Sequence, residues 1–161
     1  MTIELTNNHK GVLRIAIKLW IPSKKAYVKT DAIFDTGAFK TILDEKLADL
    51  LNLPRNNDKN VVTMTAAGMV TTCSGNLPKL YLGTKLIHNI PVSIMNLPDE
   101  LESYCILGMN VLQEFDISIN NYDGIVTLIP KPLPIKYYMD NYSVTLASVE
   151  GGDFQDEIDT K

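Results

Sequence analysis

Alternating hydrophobicity is the feature of this sequence that most restricts its fold. Residues 12–21, VLRIAIKLWI, place apolar side chains at every second position and basic side chains between several of them. Successive side chains of an extended chain point to opposite faces, so this segment predicts a half-buried β-strand. Pro22 and Ser23 then indicate a turn, and residues 26–34, AYVKTDAIF, predict the second strand of a hairpin.

Later segments repeat the β pattern. Residues 60–77 predict a hairpin of Val- and Thr-rich strands around a tip of small residues, Ala66, Ala67 and Gly68. Further short strands are predicted over 77–83 and 90–97, and over 115–120 and 124–129, the last two joined by a turn containing Asp-Gly.

Two segments interrupt the strands with helical character. Residues 41–54, TILDEKLADLLNLP, have helical spacing, with Asp44 as a cap and Pro54 after the end. Residues 105–115, CILGMNVLQEF, begin as an apolar strand, break at Gly108 and predict a short helix. The fold class predicted is mostly β, a closed or partly closed barrel with two short helices.

Composition limits the classes of function. The 161 residues suit one domain, and the net charge of −4 disfavours nucleic-acid and anionic-membrane partners, because either would favour a basic face. Lys24, Lys25 and Lys29 are too few to make such a face. The N-terminus lacks a secretory pattern and no apolar run is long enough to cross a bilayer, so a cytoplasmic location is expected.

Cysteines and histidines provide no metal-binding pattern. Cys73 and Cys105 match no zinc spacing and predict buried thiols, with a single disulfide left open. His9 and His88 are far apart in sequence and have no ligand partners at a known spacing. No metal and no cofactor are predicted.

The domain is expected to span residues 1–130. A tail over 131–161 follows, beginning in a proline-rich stretch and ending in an acidic segment that is predicted to be disordered. Residues 142–149, YSVTLASV, are a candidate for one added strand within it.

One ordered set of motifs goes beyond fold class. IFDTGA at 33–38 is followed by a helix, then by the hairpin around Gly68, then by ILGMN at 106–110 before a second short helix. Over roughly residues 12–129, this order resembles the retropepsin-like aspartic proteases, the single-domain proteases of retroviral type. The resemblance implies an aspartic endopeptidase with polypeptide substrates and no cofactor.

The resemblance also implies roles for individual residues. Asp35 would be catalytic, because two carboxylates sharing one proton can activate water and protonate the substrate. Gly37 would let the chain turn so that amide hydrogens face this carboxylate, and Thr36 would tie two active-site loops together. The active-site loop also includes Ala38, the flap tip would be Ala67, Gly68 and Met69, and Ile106, Leu107 and Gly108 would support the loop from beneath.

Only one Asp-Thr-Gly occurs in the chain, and residues 122–124, YDG, lack the threonine. A second aspartate must therefore come from a second copy, which predicts a symmetric homodimer in which each subunit contributes one flap. One alternative is a catalytically silent barrel that acts as a dimerisation or peptide-binding module. A weaker one is a Cys or Ser hydrolase that uses residues 73–75, CSG. In addition, Asp-Thr-Gly and the hairpin around Gly68 each have a purely structural interpretation, as an ordinary turn and an ordinary hairpin.

Overall fold

The computed structural model describes residues 6–7, 12–65, 68–120, 123 and 125–132, with the backbone alone for 6–7 and 56–65. His9, the tip residues Ala66 and Ala67, and the tail from residue 133 onward lie outside the described part. The predicted domain boundary at residue 130 therefore stays a prediction.

Within the described residues, ten strands alternate with two short α-helices and two 3-10 turns. The strands are β1 Thr6–Asn7, β2 Leu13–Ile21, β3 Ala26–Phe34, β4 Thr41–Asp44, β5 Asn56–Thr65, β6 Gly68–Leu82, β7 Lys85–Met95, β8 Cys105–Leu107, β9 Phe115–Asn120 and β10 Ile125–Pro130. The helices are α1 Glu45–Leu50 and α2 Met109–Leu112, and the 3-10 turns are Pro22–Lys24 and Asp99–Leu101.

Six strands close into a barrel in the order β2-β3-β8-β4-β7-β6, because β6 returns to pair with β2. The closing contact aligns Leu19 with Leu80 and Ile17 with Leu82. β1 extends the sheet beside β2 and β5 extends it beside β6, while β9 and β10 form a separate antiparallel pair. The prediction of a mostly β closed barrel with two short helices is confirmed.

The first hairpin matches its sequence pattern. β2 and β3 pair antiparallel from Arg14 opposite Ile33 to Ile21 opposite Ala26, and the turn predicted at Pro22 is the 3-10 turn. Alternation identified β2, because its side chains are buried at every second position, whereas β3 was predicted from the turn before it and ends in three consecutive buried residues.

The first helix begins later than its spacing predicts. Thr41–Asp44 form β4, which pairs with β7 and β8, and α1 starts only at Glu45. Asp44 caps α1 as predicted, since its carboxylate accepts a hydrogen bond from the Lys46 N–H at 2.9 Å. No helix in the described residues has the length and apolar character that a membrane crossing requires.

The predicted strand over 77–83 is the far end of β6 and not a separate element. This strand pairs first with β5, then with β7 and finally with β2. It continues through Pro78, with Leu77 opposite Ile90 and Lys79 opposite His88. Proline lacks a backbone N–H and favours strand ends, which explains why the sequence indicates a break there.

The barrel interior is one aliphatic core that includes side chains from both helices. Cys105 is buried in it and Cys73 packs at its margin; both are free thiols, so no disulfide joins them. The largest fully buried side chains are Ile15, Ile17, Leu19, Leu43, Leu51, Leu77, Leu80, Leu82, Ile94, Leu107, Leu112 and Leu128.

Candidate active site

Asp35 occupies the first position of the loop that joins β3 to β4. The strand before it is buried, with Phe34 only 7% exposed, whereas Asp35 itself is half-buried. Its backbone N–H donates to the Leu107 carbonyl at 3.2 Å, and its own carbonyl accepts from the Ala38 N–H at 3.3 Å. The rigid barrel wall therefore delivers this carboxylate to the surface in a tight turn.

Gly37 holds one oxygen of the Asp35 carboxylate. Its backbone N–H donates to Asp35 Oδ1 at 2.8 Å, and a Cβ at residue 37 would lie 3.2 Å from the same oxygen. Thr36 is exposed, and its hydroxyl has no hydrogen-bond partner among the described residues. Among the described residues, the second carboxylate oxygen of Asp35 and the Thr36 hydroxyl therefore accept or donate no hydrogen bond.

β8 lies between the two strands that flank the loop. Ile106 pairs in parallel with Ile33 of β3 and antiparallel with Ile42 of β4, and Leu107 pairs with Phe34. The two ends of the active-site loop are therefore bridged by a strand that is about seventy residues later in the sequence.

The turn after β8 is bonded directly to the loop. Met109 N–H donates to the Ala38 carbonyl at 2.8 Å, and Asn110 N–H donates to the Phe39 carbonyl at 3.2 Å. A Cβ at Gly108 would lie 2.5 Å from the carbonyl carbon of Lys40, closer than real Cβ contacts. Gly108 is thus required for the close approach of the two backbones.

Asn110 and Thr41 complete this support. Asn110 Oδ1 accepts from both the N–H and the hydroxyl of Thr41, at 2.8 and 2.9 Å. Asn110 Nδ2 donates to the Pro91 carbonyl at 2.8 Å, and the Thr41 hydroxyl accepts from the Gly108 N–H at 3.2 Å. Sequence reasoning missed both residues, although Asn110 ends the ILGMN segment that it singled out.

The predicted flap is a real hairpin made of β5 and the start of β6. Thr65 pairs with Gly68 across its end, and Gly68 has φ +113°, which favours glycine. Met69 is 75% exposed beside it. Ala67, the third predicted tip residue, lies outside the described residues.

A large apolar side chain is exposed in the active-site loop itself. Phe39 has 87% of its surface exposed, four residues after Asp35. The alternating pattern gave no signal for it, because the loop belongs to neither strand. A phenyl ring in this position can contact an apolar ligand or a second protein chain.

Among the described residues, no histidine lies beside the alternative nucleophiles at 73–75, and the second thiol, Cys105, is deeply buried. His88 lies opposite Lys79 on β6, six residues from Cys73 and so about 20 Å away along the strand. Burial raises the pKa of the Cys105 thiol to about 12, which disfavours the reactive thiolate. No group of three or more His, Cys, Asp or Glu side chains in the described ranges could hold a metal ion.

Comparison with known proteins agrees with this geometry. The model of the gag-polyprotein putative aspartyl protease family matches residues 25–114, more than half of the chain. A crystal structure of a retropepsin-like aspartic protease from Rickettsia conorii superposes with a TM-score of 0.57 at 22% identity, covering 80% of this chain and 90% of that one.

EIAV protease complexed with the inhibitor HBY-793 is a more distant match, with a TM-score of 0.48 at 18% identity, covering 67% of this chain and 91% of that one. No curated protein matches. From the family match, which includes the Asp35 loop and the β8 turn that supports it, the chain belongs to the gag-polyprotein putative aspartyl proteases and has the retropepsin-like fold.

Proposed function

We propose that this chain is an aspartic endopeptidase that works as a homodimer, with Asp35 of each copy forming the catalytic pair. The observation that carries the proposal is the fixed presentation of Asp35. Its carboxylate is half-buried at the end of a buried strand and is held by the Gly37 N–H at 2.8 Å. A turn residue without a chemical role would not need a loop bonded from beneath by a distant strand.

The single Asp-Thr-Gly favours a second copy as the source of the partner carboxylate, and two other aspartates of the described part have structural contacts instead. Asp44 is 1% exposed, and its two carboxylate oxygens accept from the Lys46 and Leu97 N–H groups. Asp123 accepts from the Asn120 side-chain amide at 2.7 Å within the same turn. Neither is presented as Asp35 is, and a two-fold axis beside Asp35 supplies an identical carboxylate.

The proposed reaction is hydrolysis of a peptide bond by a water molecule between the two carboxylates. One Asp35 is ionised and takes a proton from the water molecule. The oxygen of the water attacks the carbonyl carbon in the same step. The other is protonated and donates to the carbonyl oxygen. Transfer of a proton to the nitrogen then allows the C–N bond to break, giving a carboxylic acid and an amine and restoring one shared proton.

The hairpin and Phe39 are assigned to substrate binding and assembly. Each copy would contribute Gly68 and Met69 to a flap over the bound polypeptide, which excludes water from the reaction. The exposed Phe39 side chain would be covered by the substrate or by the second copy. The exposed Thr36 hydroxyl would bond to the loop of the other subunit.

The test is cleavage by Asp35→Asn. Purified wild-type protein is incubated with a diverse peptide mixture, and the products are identified by mass spectrometry. We expect Asp35→Asn to eliminate cleavage, since it removes the ionisable group while nearly keeping the shape. Asp123→Asn is the matched control, with unchanged cleavage, because it alters an exposed turn.

Two results would contradict the proposal. Cleavage by Asp35→Asn at the wild-type rate would move the chemistry to another group. A wild-type homodimer that cleaves none of the mixture between pH 3 and 8 would favour the silent dimerisation or peptide-binding module.

A further inference from the structure

A second surface, on the outer wall of the barrel, carries basic and aromatic side chains. Alternate residues of β2 and β3 and of the end of β6 point outward there, because their neighbours Ile17, Leu19 and Leu80 are buried. We call this surface the lysine–aromatic face. It consists of Lys18, Trp20, Tyr27, Lys29, Lys79 and Tyr81.

The aromatic rings of this face form one connected cluster. The ring centroids of Trp20 and Tyr27 are 4.8 Å apart, and those of Tyr27 and Tyr81 are 5.2 Å apart. The Lys79 ammonium lies 5.2 Å from the centre of the Trp20 ring. These contacts hold the rings and one cation in fixed positions.

The other two lysines are placed against each other. Lys18 lies directly opposite Lys29 in the β2–β3 register and opposite Tyr81 in the β2–β6 register. Like charges at opposed positions of a sheet are destabilising. No carboxylate among the described residues forms an ion pair with Lys18 or Lys29. Both line a surface depression of about 210 Å³ together with Tyr81.

The local charge is opposite to that of the whole chain. Residues 12–34 contain five lysine or arginine residues and one acidic residue, Asp31, although the protein has a net charge of −4. Asp31 is the next outward residue of β3 after Lys29, so the face carries three lysines and borders one carboxylate. Lysines that outnumber the neighbouring acid still attract an anionic group. The lysine stems and the rings add apolar surface around it.

We infer that the lysine–aromatic face binds an acidic polypeptide segment. A nucleic acid fits less well, because the overall negative charge opposes a phosphate backbone and because the rings are turned against one another, with Lys79 over Trp20. Along β3, Lys29 lies six residues and Tyr27 eight residues before Asp35, which corresponds to about 20 and about 26 Å of extended chain. The face is therefore separate from the cleft.

Binding can be measured independently of proteolysis. The Asp35→Asn protein is titrated against a fluorescein-labelled peptide of alternating Glu and Ala, followed by fluorescence anisotropy at low and high salt. We expect binding that weakens with salt and that is lost when Gln replaces Glu in the peptide. Replacing the two opposed lysines of the face, Lys18→Gln with Lys29→Gln, should weaken binding by about fivefold or more.

The matched control removes two lysines elsewhere. Lys46 lies near Asp99 and Lys131 near Asp116, both outside the barrel strands that carry the face, so Lys46→Gln with Lys131→Gln should change affinity by less than about twofold. Lys29→Glu is a second variant. It should raise the melting temperature, because it turns a repulsive cross-strand pair into an attractive one, and yet abolish peptide binding.

Three results would overturn the inference. Equal losses from the two double variants would indicate only non-specific attraction. Equal affinity for the Glu and Gln peptides would exclude an anion site. Tighter binding of a single-stranded oligothymidylate than of the Glu peptide, lost in the same lysine variants, would assign the face to nucleic acid.

Discussion

Gly108 is the residue at which the active-site support leaves least room. A Cβ there would meet backbone atoms of the loop in front of it, at 2.5 and 2.7 Å from the Lys40 carbonyl and 2.8 Å from the Ala38 oxygen. Backbone atoms cannot move aside by changing rotamer. Glycine is therefore required at position 108 because a side chain would not fit there, and not because the backbone has a positive φ.

We predict that Gly108→Ala lowers the free energy of unfolding by at least about 3 kcal/mol, because the loop and the β8 turn must separate. Urea denaturation measures this. Gly75→Ala is the matched control, since its Cβ would meet the movable end of the Ile94 side chain at 2.8 Å, and a loss of about 1 kcal/mol is expected. Equal losses from the two variants would contradict this account.

Sequence and structure agree best where a role depends on near neighbours. The Gly37 N–H reaches a carboxylate two residues away, so the turn chemistry of Asp-Thr-Gly is visible in the motif itself. Thr41 and Asn110 are 69 residues apart, and nothing local marks either of them as a partner of the other. Their contact depends on the path of β8 through the barrel, which one sequence does not reveal.

At the level of elements, β8 fixes the geometry of the site. It is only three residues long, yet it pairs with both strands that flank the active-site loop. The Asn110–Thr41 contacts join the turn after β8 to the start of β4, and the bond to Pro91 adds β7. Two barrel strands, β4 and β7, and the turn after β8 are therefore joined by one side-chain amide.

Asn110→Ala should lower the free energy of unfolding by about 2–3 kcal/mol, because it removes three hydrogen bonds and leaves the Thr41 N–H unpaired. Adding Thr41→Val should cost less in this background than in the wild type, giving a coupling energy of about 1 kcal/mol in a double-mutant cycle. Urea unfolding of the four proteins provides the values. The exposed Gln113→Ala serves as the control, and strictly additive losses would exclude a shared network.

The same level explains the errors in assigning elements. Residues 41–44 are too few to display alternation, and their strand state is set by pairing with β7 and β8. By contrast, β2 is nine residues long and is buried at alternate positions, so the period of two identified it, and the turn at Pro22 indicated β3 after it. Length and one-sided burial decided which elements the sequence could predict.

At the level of the whole molecule, barrel closure connects the proposed functions. β6 begins at the flap, pairs through the barrel wall with β7 and ends beside β2 at the lysine–aromatic face. One continuous strand therefore links the hairpin that we propose as a flap to the second surface. The proposed catalytic pair also depends on assembly of two chains, because each chain contains one Asp-Thr-Gly.

If two copies of Asp35 form the site, specific activity should fall on dilution through the dimer dissociation constant, because the monomer lacks one carboxylate. Peptide-cleavage assays over a dilution series, with sedimentation of the same samples, test this.

When subunits exchange, a ninefold excess of Asp35→Asn should reduce activity per wild-type subunit to about a tenth, because most wild-type chains then pair with an inactive copy. The same excess of Asp35→Asn carrying Gly108→Ala should poison less, since a destabilised chain is a poorer partner. An active monomer in sedimentation, with a rate per chain independent of concentration, would require both catalytic groups to lie in one chain.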